Sequence, residues 1–386
     1  MDTLIEAGYN VTVIYQYWND WGTEIDKILL PPKKWKAIRV GGSPDDEKFS
    51  YWMSRMIYKA GQALSKVSGS SQRFAEINIG RCTSLLTAEA IKHKADLYIA
   101  HNLAALPVAV KASKKYSAKC AFDAEDFHRN EVSNDVNDKD VILKSHIEQK
   151  YIPQVNYITA SSPGIAAAYK SLFAGIHPMV LLNAFPIDHT ILSPLPNDDK
   201  QLSLFWFSQT IGPKRGLEDV VQALALLNNP EIELHLLGDL PPAAQTYLTE
   251  IGVEAINLHI HQPISPDQIN QLASQFDIGL ALETGFCVNN DLALSNKIFT
   301  YMQAGLAIIA SDTSAQKELL NAYPETGVLY EIGNVQMLAK TIDHYYRNRT
   351  DLHKAKTAAY EAASNDLNWE TESVKFLNLV ADTLKV

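Results

Sequence analysis

Short runs of β-branched and aromatic residues alternate with longer helical patterns along nearly the whole chain. This alternation is typical of parallel sheets whose strands are joined by crossover helices. Helical patterns at 335–346, 352–363 and 370–384 close the chain without strands between them. The predicted strands lie at 11–16, 36–40, 97–100, 119–122, 157–160, 179–182, 203–207, 233–237, 257–260, 278–282, 307–310 and 328–330.

A chain of 386 residues is too long for one ordinary hydrophobic core, so we expect two domains. The proline-containing stretch 187–200 breaks the periodicity and is predicted to be the linker. The domains are then 1–186 and 201–386, each a Rossmann-like, doubly wound parallel sheet of the α/β class. The last helix is a candidate to pack back on the N-terminal domain.

The beginning of the first domain is unusual. A doubly wound domain normally opens with a strand and a glycine-rich turn before its first helix. Here residues 2–7 already have a helical pattern, and the first strand run comes only at 11–16. We therefore expect the first strand and its loop to be missing, with the encoded protein beginning upstream of Met1 or this form being truncated.

Composition and charge exclude several classes of protein. The net charge is about +2 for 1–190 and −12 for 191–386, and no basic stripe suits nucleic acid. No apolar run approaches the length of a membrane span, and no secretory signal opens the chain. The distant cysteines Cys82, Cys120 and Cys287 are interpreted as buried free thiols in a reducing compartment, so we expect a cytoplasmic location.

The most informative segment is 278–311, where an apolar run leads into a polar, asparagine-rich loop and then a helix. Ser295 and Asn296 open that helix, where they can cap free N–H groups, and Lys297 adds a cation. At the carboxyl end of a parallel strand, this combination predicts a diphosphate seat. A capped helix with a solvated lysine fits the same residues equally well.

A second segment, 205–217, runs from a strand through a Gly/Pro loop to a helix. Lys214 and Arg215 lie just before the helix, where cations and backbone amides suit a pyrophosphate leaving group. The alternative is an ordinary strand–helix turn with two exposed cations.

Together these segments resemble the retaining GT-B glycosyltransferases of the "glycosyl transferases group 1" or family 4-like kind. In the second half, the resemblance lies in SQTIGPKRG (208–216), HLLGD (235–239), HQPIS (261–265) and SNKIFTYMQAG (295–305). In the first half, it lies in LYIAHNLAALPVA (97–109), AFDAEDFHRNE (121–131) and LLNAFPID (181–188). The motifs follow in one consistent order, which implies two Rossmann-like domains facing each other across a cleft.

The resemblance implies transfer of a sugar from a nucleotide-diphosphate donor to a glycan or glycolipid, with retention and without metal or cofactor. The implied catalytic residues are His101, Glu125 and Glu283, with Asp126 and His128 as second choices. The donor diphosphate is assigned to Lys214, Arg215, Ser295, Asn296 and Lys297. Gly285, Phe286 and Thr300 are assigned to the sugar and ribose pocket, and Pro263 and Ile264 to the base loop. The acidic cluster at 134–138 is interpreted as a solvated turn, not a metal site.

Three positions depart from the family pattern. Thr300 replaces the second of two paired glutamates, Gln209 stands where a phosphate-binding arginine is usual, and Glu125 stands where many relatives carry a histidine. Two other functions therefore stay open. One is a non-catalytic GT-B protein that binds a sugar nucleotide or glycan, and the other is a GT-B sugar-nucleotide epimerase.

Residues 27–66 mix cations with large apolar side chains. Peripheral contact with a membrane on the acceptor side would explain this mixture. We favour the alternative that the apolar face of 48–66 packs on its own sheet.

Overall fold

The computed structural model describes residues 1–68, 72–195 and 201–385. The chain divides into two compact units. The first unit comprises Met1–Leu181 and the C-terminal segment from Ser373, and the second comprises Leu182–Glu372. The predicted linker lies in the second unit as far as residue 195, and its residues 196–200 fall outside the described residues.

The first unit contains two groups of parallel strands. The first group pairs β1 (Thr12–Gln16) with β2 (Lys36–Val40). The second is a four-stranded sheet in the order β3 (Leu97–His101), β4 (Lys119–Ala124), β5 (Tyr157–Ala160), β6 (Met179–Val180). The helices are α1 (Asp2–Glu6), α2 (Asp20–Leu29), α3 (Lys48–Ser68), α4 (Ala75–Asn78), α5 (Thr83–Ala90), α6 (Leu106–Tyr116), α7 (Lys139–Tyr151) and α8 (Pro163–Leu172).

The two strand groups of the first unit form separate sheets, with no ladder between β1 and β3 among the described residues. All four residues of β5 are buried, whereas β1 contains no buried residue and β3 contains only Ala100. The well-packed part of this unit is therefore the β4–β5 region.

The second unit is a six-stranded parallel sheet in the order β12-β11-β10-β7-β8-β9. Its strands are β7 (Leu202–Thr210), β8 (Ile232–Asp239), β9 (Asn257–His261), β10 (Ile278–Ala281), β11 (Ala307–Ser311) and β12 (Gly327–Tyr330). Its helices are α9 (Leu217–Leu227), α10 (Pro242–Glu250), α11 (Ile269–Ala273), α12 (Val288–Leu292), α13 (Asn296–Gln303), α14 (Ser314–Ala322), α15 (Val335–Arg347) and α16 (Arg349–Asn365). The last helix, α17 (Trp369–Lys385), begins in this unit and ends in the first.

The sheet of the second unit is covered by apolar clusters on both faces. Along β7, Leu204 and Trp206 belong to one cluster, and Phe205 between them belongs to the other. Strands buried on both faces need uninterrupted apolar sequences, which is why their positions can be predicted. Each predicted strand run coincides with a strand, so the predicted parallel α/β architecture is confirmed.

Two smaller expectations concern thiols and membrane helices. Cys82, Cys120 and Cys287 are buried and free, as predicted. Of the described helices, none combines the length and apolarity needed to cross a bilayer.

Candidate functional site

The strand order of the second unit reverses between β7 and β10. Strands β8 and β9 follow β7 on one side of it, and β10, β11 and β12 lie on its other side. Such a switch point opens a crevice at the carboxyl ends of the two central strands, where open α/β sheets bind ligands. The segments 211–216 and 282–295 leave β7 and β10 at this point.

Gly216 brings these two segments together. Its φ of 76° is in the left-handed region, and a Cβ there would lie 2.7 Å from the backbone oxygen of Leu282. Any larger residue would push the segments apart as well as strain the backbone. Glycine at 216 therefore permits close contact between the loop that carries Lys214 and Arg215 and the loop that begins at Leu282.

Glu283 and Lys297 form the ion pair at the centre of the second loop. Lys297 Nζ lies 3.0 Å from Glu283 Oε1, and each side chain is 17% exposed. Asn290 Nδ2 donates to the second carboxylate oxygen, Oε2, at 3.0 Å. Lys297 Nζ also lies 5.9 Å from the ring centroid of Trp206, within range of a cation–π attraction.

The surroundings of Glu283 favour its charged form. Burial acts to raise the pKa of Glu283, but the charge of Lys297 and hydrogen bonds from Lys297, Asn290 and Ser295 outweigh it. The pKa of Glu283 therefore lies below its ordinary value, and the carboxylate is ionised at neutral pH. Lys297, which was predicted to hold the diphosphate, is thus already paired with an internal anion.

The loop between β10 and α13 contains the short helix α12, which was not predicted from the sequence. Gly285 N–H donates to Asn290 Oδ1 at 2.7 Å, while the amide of Asn290 holds Glu283. Asn290 thereby links Glu283, a predicted catalytic residue, to Gly285 of the predicted sugar pocket. Phe286, also predicted there, is 53% exposed.

Ser295 precedes α13 as expected, but its side chain does not cap the helix. Its hydroxyl bonds to Glu283 instead, so the expected cap is wrong because the carboxylate is the stronger acceptor. Asn296 is exposed in the first turn. Thr300, one turn beyond Lys297, is only 4% exposed.

The remaining predicted donor residues are exposed. Lys214 and Arg215 lie on the surface, and neither takes part in an ion pair within the described part of the chain. Pro263 and Ile264 of the predicted base loop are also exposed. Ile264 helps to line a shallow pocket of about 370 Å³ together with His261, Gln262, Gln268, Gln271, Leu272 and Gln275.

A second cluster lies at the carboxyl ends of β3 and β4 in the first unit, where two predicted catalytic residues meet. His101 Nδ1 donates to Asp123 Oδ2 at 2.8 Å, and Nε2 lies 2.9 Å from Glu125 Oε1. Thr159 Oγ1, from β5, donates to Asp123 Oδ1 at 2.6 Å. We call His101, Asp123 and Glu125 the His101 cluster.

The two carboxylates set the charge of His101. Hydrogen bonds to Asp123 and then to Glu125 raise the pKa of His101 to about 10 against the opposing effect of desolvation. The imidazole is therefore a cation at neutral pH and cannot act as a general base. Its 63% exposed side chain leaves it open to a ligand.

The second-choice residues Asp126 and His128 lie close by, but His128 is only 2% exposed and bonds to Glu131. It packs against the buried ring of Phe122 and serves the core of the unit. In the acidic cluster at 134–138, Asp138 accepts from Asp140 N–H at 2.8 Å at the start of α7. Residues 136 and 137 of that cluster form an exposed turn.

Helices α2 and α3 expose many large apolar side chains. The buried face of α3 consists of Tyr51, Ser54 and Gly61. The expectation that the apolar face of 48–66 packs on its own sheet is therefore wrong, because Phe49, Trp52 and Met56 of that face are exposed. We call the exposed residues the aromatic patch: Trp18, Trp21, Ile28, Leu29, Phe49, Trp52 and Met56.

Comparisons with known proteins agree with this architecture. Residues 202–348 match the family model described as "Glycosyl transferases group 1". No curated protein sequence matches the chain. The GT-B resemblance and the fold class predicted from the sequence are confirmed by these residues and by the solved structures below.

Three solved structures illustrate the similarity. HepE from Anabaena, in complex with UDP, is 18% identical with a TM-score of 0.66, covering 97% of this chain and 100% of HepE. Sucrose-phosphate synthase from Thermosynechococcus elongatus is 13% identical with a TM-score of 0.71, covering 99% and 90%. TarM is 14% identical with a TM-score of 0.62, and the match covers 77% of this chain but only 58% of TarM. At these identities the likeness shows the fold.

Proposed function

We propose that this chain transfers a sugar from a nucleoside-diphosphate sugar to a glycan or lipid-linked acceptor. The observation that carries the proposal is the meeting, at one switch point, of the Glu283–Lys297 pair and the loop bearing Lys214 and Arg215. Structural neighbours solved in complex with UDP, with UDP and glucose, or with UDP-glucose support a uridine nucleotide as the first donor to test.

In this proposal the cations stabilise the leaving diphosphate. Lys214 and Arg215 are exposed and free to close on phosphate oxygens, and the start of α13 carries no side-chain cap that would compete with an anion. When Lys297 turns to the diphosphate, it releases Glu283, whose carboxylate can then accept a hydroxyl of the sugar. Once these cations contact the phosphate oxygens, they stabilise the charge that develops on the departing diphosphate, without a bound metal.

We assign the His101 cluster to the sugar or acceptor hydroxyls. The imidazolium holds Glu125 through Nε2 and Asp123 through Nδ1. Glu125 is then a fixed carboxylate that can accept a hydroxyl proton, and His101 is its positioning residue. Retention at the anomeric carbon, ribose contact by Thr300 and base contact by Pro263 and Ile264 belong to the same proposal, as does a cytoplasmic location.

The donor half of the proposal is tested by thermal unfolding with UDP, GDP, ADP and their sugars. A ligand that binds only the native state at a hundred times its Kd should stabilise it by about 2.7 kcal/mol. We expect one nucleotide to raise the midpoint and Arg215→Ala to weaken its binding at least about tenfold, since hydrogen bonds to charged groups are worth about 1.5–3 kcal/mol. The control, Lys354→Ala, removes a 72% exposed lysine paired with Asp351.

The outcome separates the rival functions. Binding followed by sugar transfer or slow hydrolysis supports the proposal, whereas an altered sugar on an intact nucleotide indicates an epimerase. Binding with no turnover on any acceptor indicates a non-catalytic protein. No midpoint shift with any nucleotide would contradict a donor site at this switch point.

The aromatic patch would bind the protein to a membrane that carries a lipid-linked acceptor. Phe49 is 82% and Trp52 60% exposed, and the i,i+3 spacing places them on one face of α3. We expect the protein to float with phosphatidylserine vesicles at low salt. The double variant Phe49→Ser/Trp52→Ser should bind at least tenfold more weakly, because each large apolar side chain contributes about 1.5–3 kcal/mol when buried.

The matched control for flotation is Leu226→Ser, which removes an equally exposed apolar residue (60%) from the second unit. Its binding should equal that of the wild type. Equal flotation of the double variant and the wild type, or no flotation at low salt, would remove the membrane role of the patch.

A further inference from the structure

A group of metal-ligating side chains lies on β8 and β9, apart from the residues assigned above. Glu233 and His235 come from β8, and His259 lies directly opposite His235 in the parallel register. Alternate residues of a strand face the same side of the sheet, so all three project from one face. Their ligand atoms all lie within 4.8 Å of one another.

The distances suit a tetrahedral ion. Glu233 Oε2 lies 3.3 Å from His235 Nε2 and 3.8 Å from His259 Nε2. Zinc–ligand bonds of about 2.0–2.1 Å place neighbouring ligand atoms of a tetrahedron roughly 3.4 Å apart. The carboxylate oxygen is therefore separated from each of the two ring nitrogens by nearly the length of an edge of such a polyhedron.

One carboxylate oxygen of Glu233, Oε1, is already held by two other side chains. Gln201 Nε2 and Asn257 Nδ2 both donate to Oε1 at 3.1 Å. These bonds occupy one carboxylate oxygen and direct the other, Oε2, to the two histidines. Ligands whose remaining atoms are fixed in this way are typical of built metal sites.

His235 is oriented in the same manner. Its Nδ1 lies 3.0 Å from His261 Nε2, and its ring packs against Phe276 with centroids 4.5 Å apart. When Nδ1 carries the proton and donates to His261, Nε2 presents a lone pair toward Glu233. The other tautomer, with the proton on Nε2, donates to Glu233 and needs no ion.

The three proposed ligands differ in solvent exposure. Glu233 and His235 are 16% and 12% exposed, whereas His259 is 45% exposed. The rings of His235 and His259 are stacked with centroids 4.6 Å apart. An ion bound to Nε2 of both His235 and His259 requires the His259 ring to rotate out of the stack. The exposure of His259 allows that rotation.

From this geometry we propose that Glu233, His235 and His259 bind one divalent transition-metal ion of the zinc class, with His261 orienting His235 and water completing the coordination. Imidazole and carboxylate ligands suit zinc, nickel and copper better than calcium or magnesium. The ion would tie β9, the edge strand of the six-stranded sheet, to β8. Since β9 ends at His261, the ion would also fix the start of the loop that carries Pro263 and Ile264.

The test uses the full chain without a polyhistidine tag, stripped with chelator and titrated with Zn²⁺ by calorimetry and with Co²⁺ by visible absorption. We expect one ion per chain and the intense Co²⁺ bands of tetrahedral coordination. His259→Ala should weaken binding at least about tenfold, and His261→Ala should weaken it by about 10- to 100-fold while one ion still binds.

The matched control is His344→Ala, which removes a 51% exposed histidine that faces a single carboxylate, Asp351. It should bind the ion as the wild type does. Circular dichroism and the unfolding midpoint without metal establish that each variant is folded, and His259, being exposed, is the safest to remove. Absence of Zn²⁺ binding, or binding that His259→Ala leaves unchanged, would overturn the proposal in favour of the metal-free tautomer.

Discussion

Replacing Lys297 with alanine is expected to lower kcat/KM for sugar transfer by about 10²–10³-fold, the range found when one preorganised donor to a developing anion is removed. The substitution takes away a cation that is 17% exposed at the switch point. It also leaves the carboxylate of Glu283 without its main charge partner, which raises the pKa of that carboxyl. Steady-state kinetics with the donor identified by thermal unfolding would measure the loss.

Two further variants separate charge from shape in this prediction. Lys297→Met keeps the length and packing against Trp206 but not the cation, so it should be as impaired as Lys297→Ala. Lys354→Ala removes an exposed cation elsewhere in the same unit and should leave kcat/KM unchanged. A Lys297→Met enzyme with wild-type kinetics would show that the cation is not used.

Replacing His101 with glutamine is expected to lower kcat about a hundredfold, the cost of a small misplacement of a catalytic group. Glutamine cannot hold Asp123 and Glu125 as a charged donor to both, so the two carboxylates repel each other. Because the pKa of His101 is raised to about 10, wild-type activity should stay constant through neutral pH and fall as pH approaches that value. In Asp123→Asn the pKa of His101 falls, and the alkaline limb should move to lower pH.

The same pKa shift has a consequence for stability, with a definite sign. The pKa of His101 is raised in the folded chain, so its ion pairs contribute fully below the ordinary value of 6.5 and are lost as pH rises toward 10. NMR titration of the His101 ring measures the pKa directly. His93→Gln, which removes a histidine paired with Glu89 at 2.9 Å, is the control and should keep wild-type kcat. A His101 ring that titrates near 6.5 would contradict both expectations.

The strands were easiest to predict where a continuous apolar run is buried on both faces, as in β10 and β11, whose residues are all buried. The short helix α12 could not, since its sequence VNNDL has one turn and no apolar periodicity. Its start depends on Cys287, whose sulfur accepts from Asn290 N–H at 3.4 Å, and a sulfur cap is not a usual helix signal.

The candidate site was predictable in its residue types and less so in its contacts. His101 and Glu125 were identified by resemblance. Asp123 lies in the same motif, 121–131, but was given no role, and its contact with His101 emerges only from the register that pairs the two residues. Glu283 and Lys297 are 14 residues apart, and they meet because the loop between them folds back. The local sequence pattern does not determine the path of that loop. For α3, the periodicity of the sequence defines two faces but does not tell which of them is buried. The buried face is that of Tyr51, Ser54 and Gly61, the opposite of what we expected.

Because Lys297 is paired with Glu283, another anion binds Lys297 only if its affinity for the lysine exceeds that of the carboxylate. A ligand can displace Glu283 only by as much as it binds the lysine better than that carboxylate does. Chloride or a single carboxylate offers little advantage over a fixed neighbour 3.0 Å away, whereas the proposed diphosphate would bring two or more charges and be shared with Arg215. We therefore expect the empty site to ignore the abundant small anions of a cell, and the returning carboxylate to help expel the spent nucleotide after each turnover.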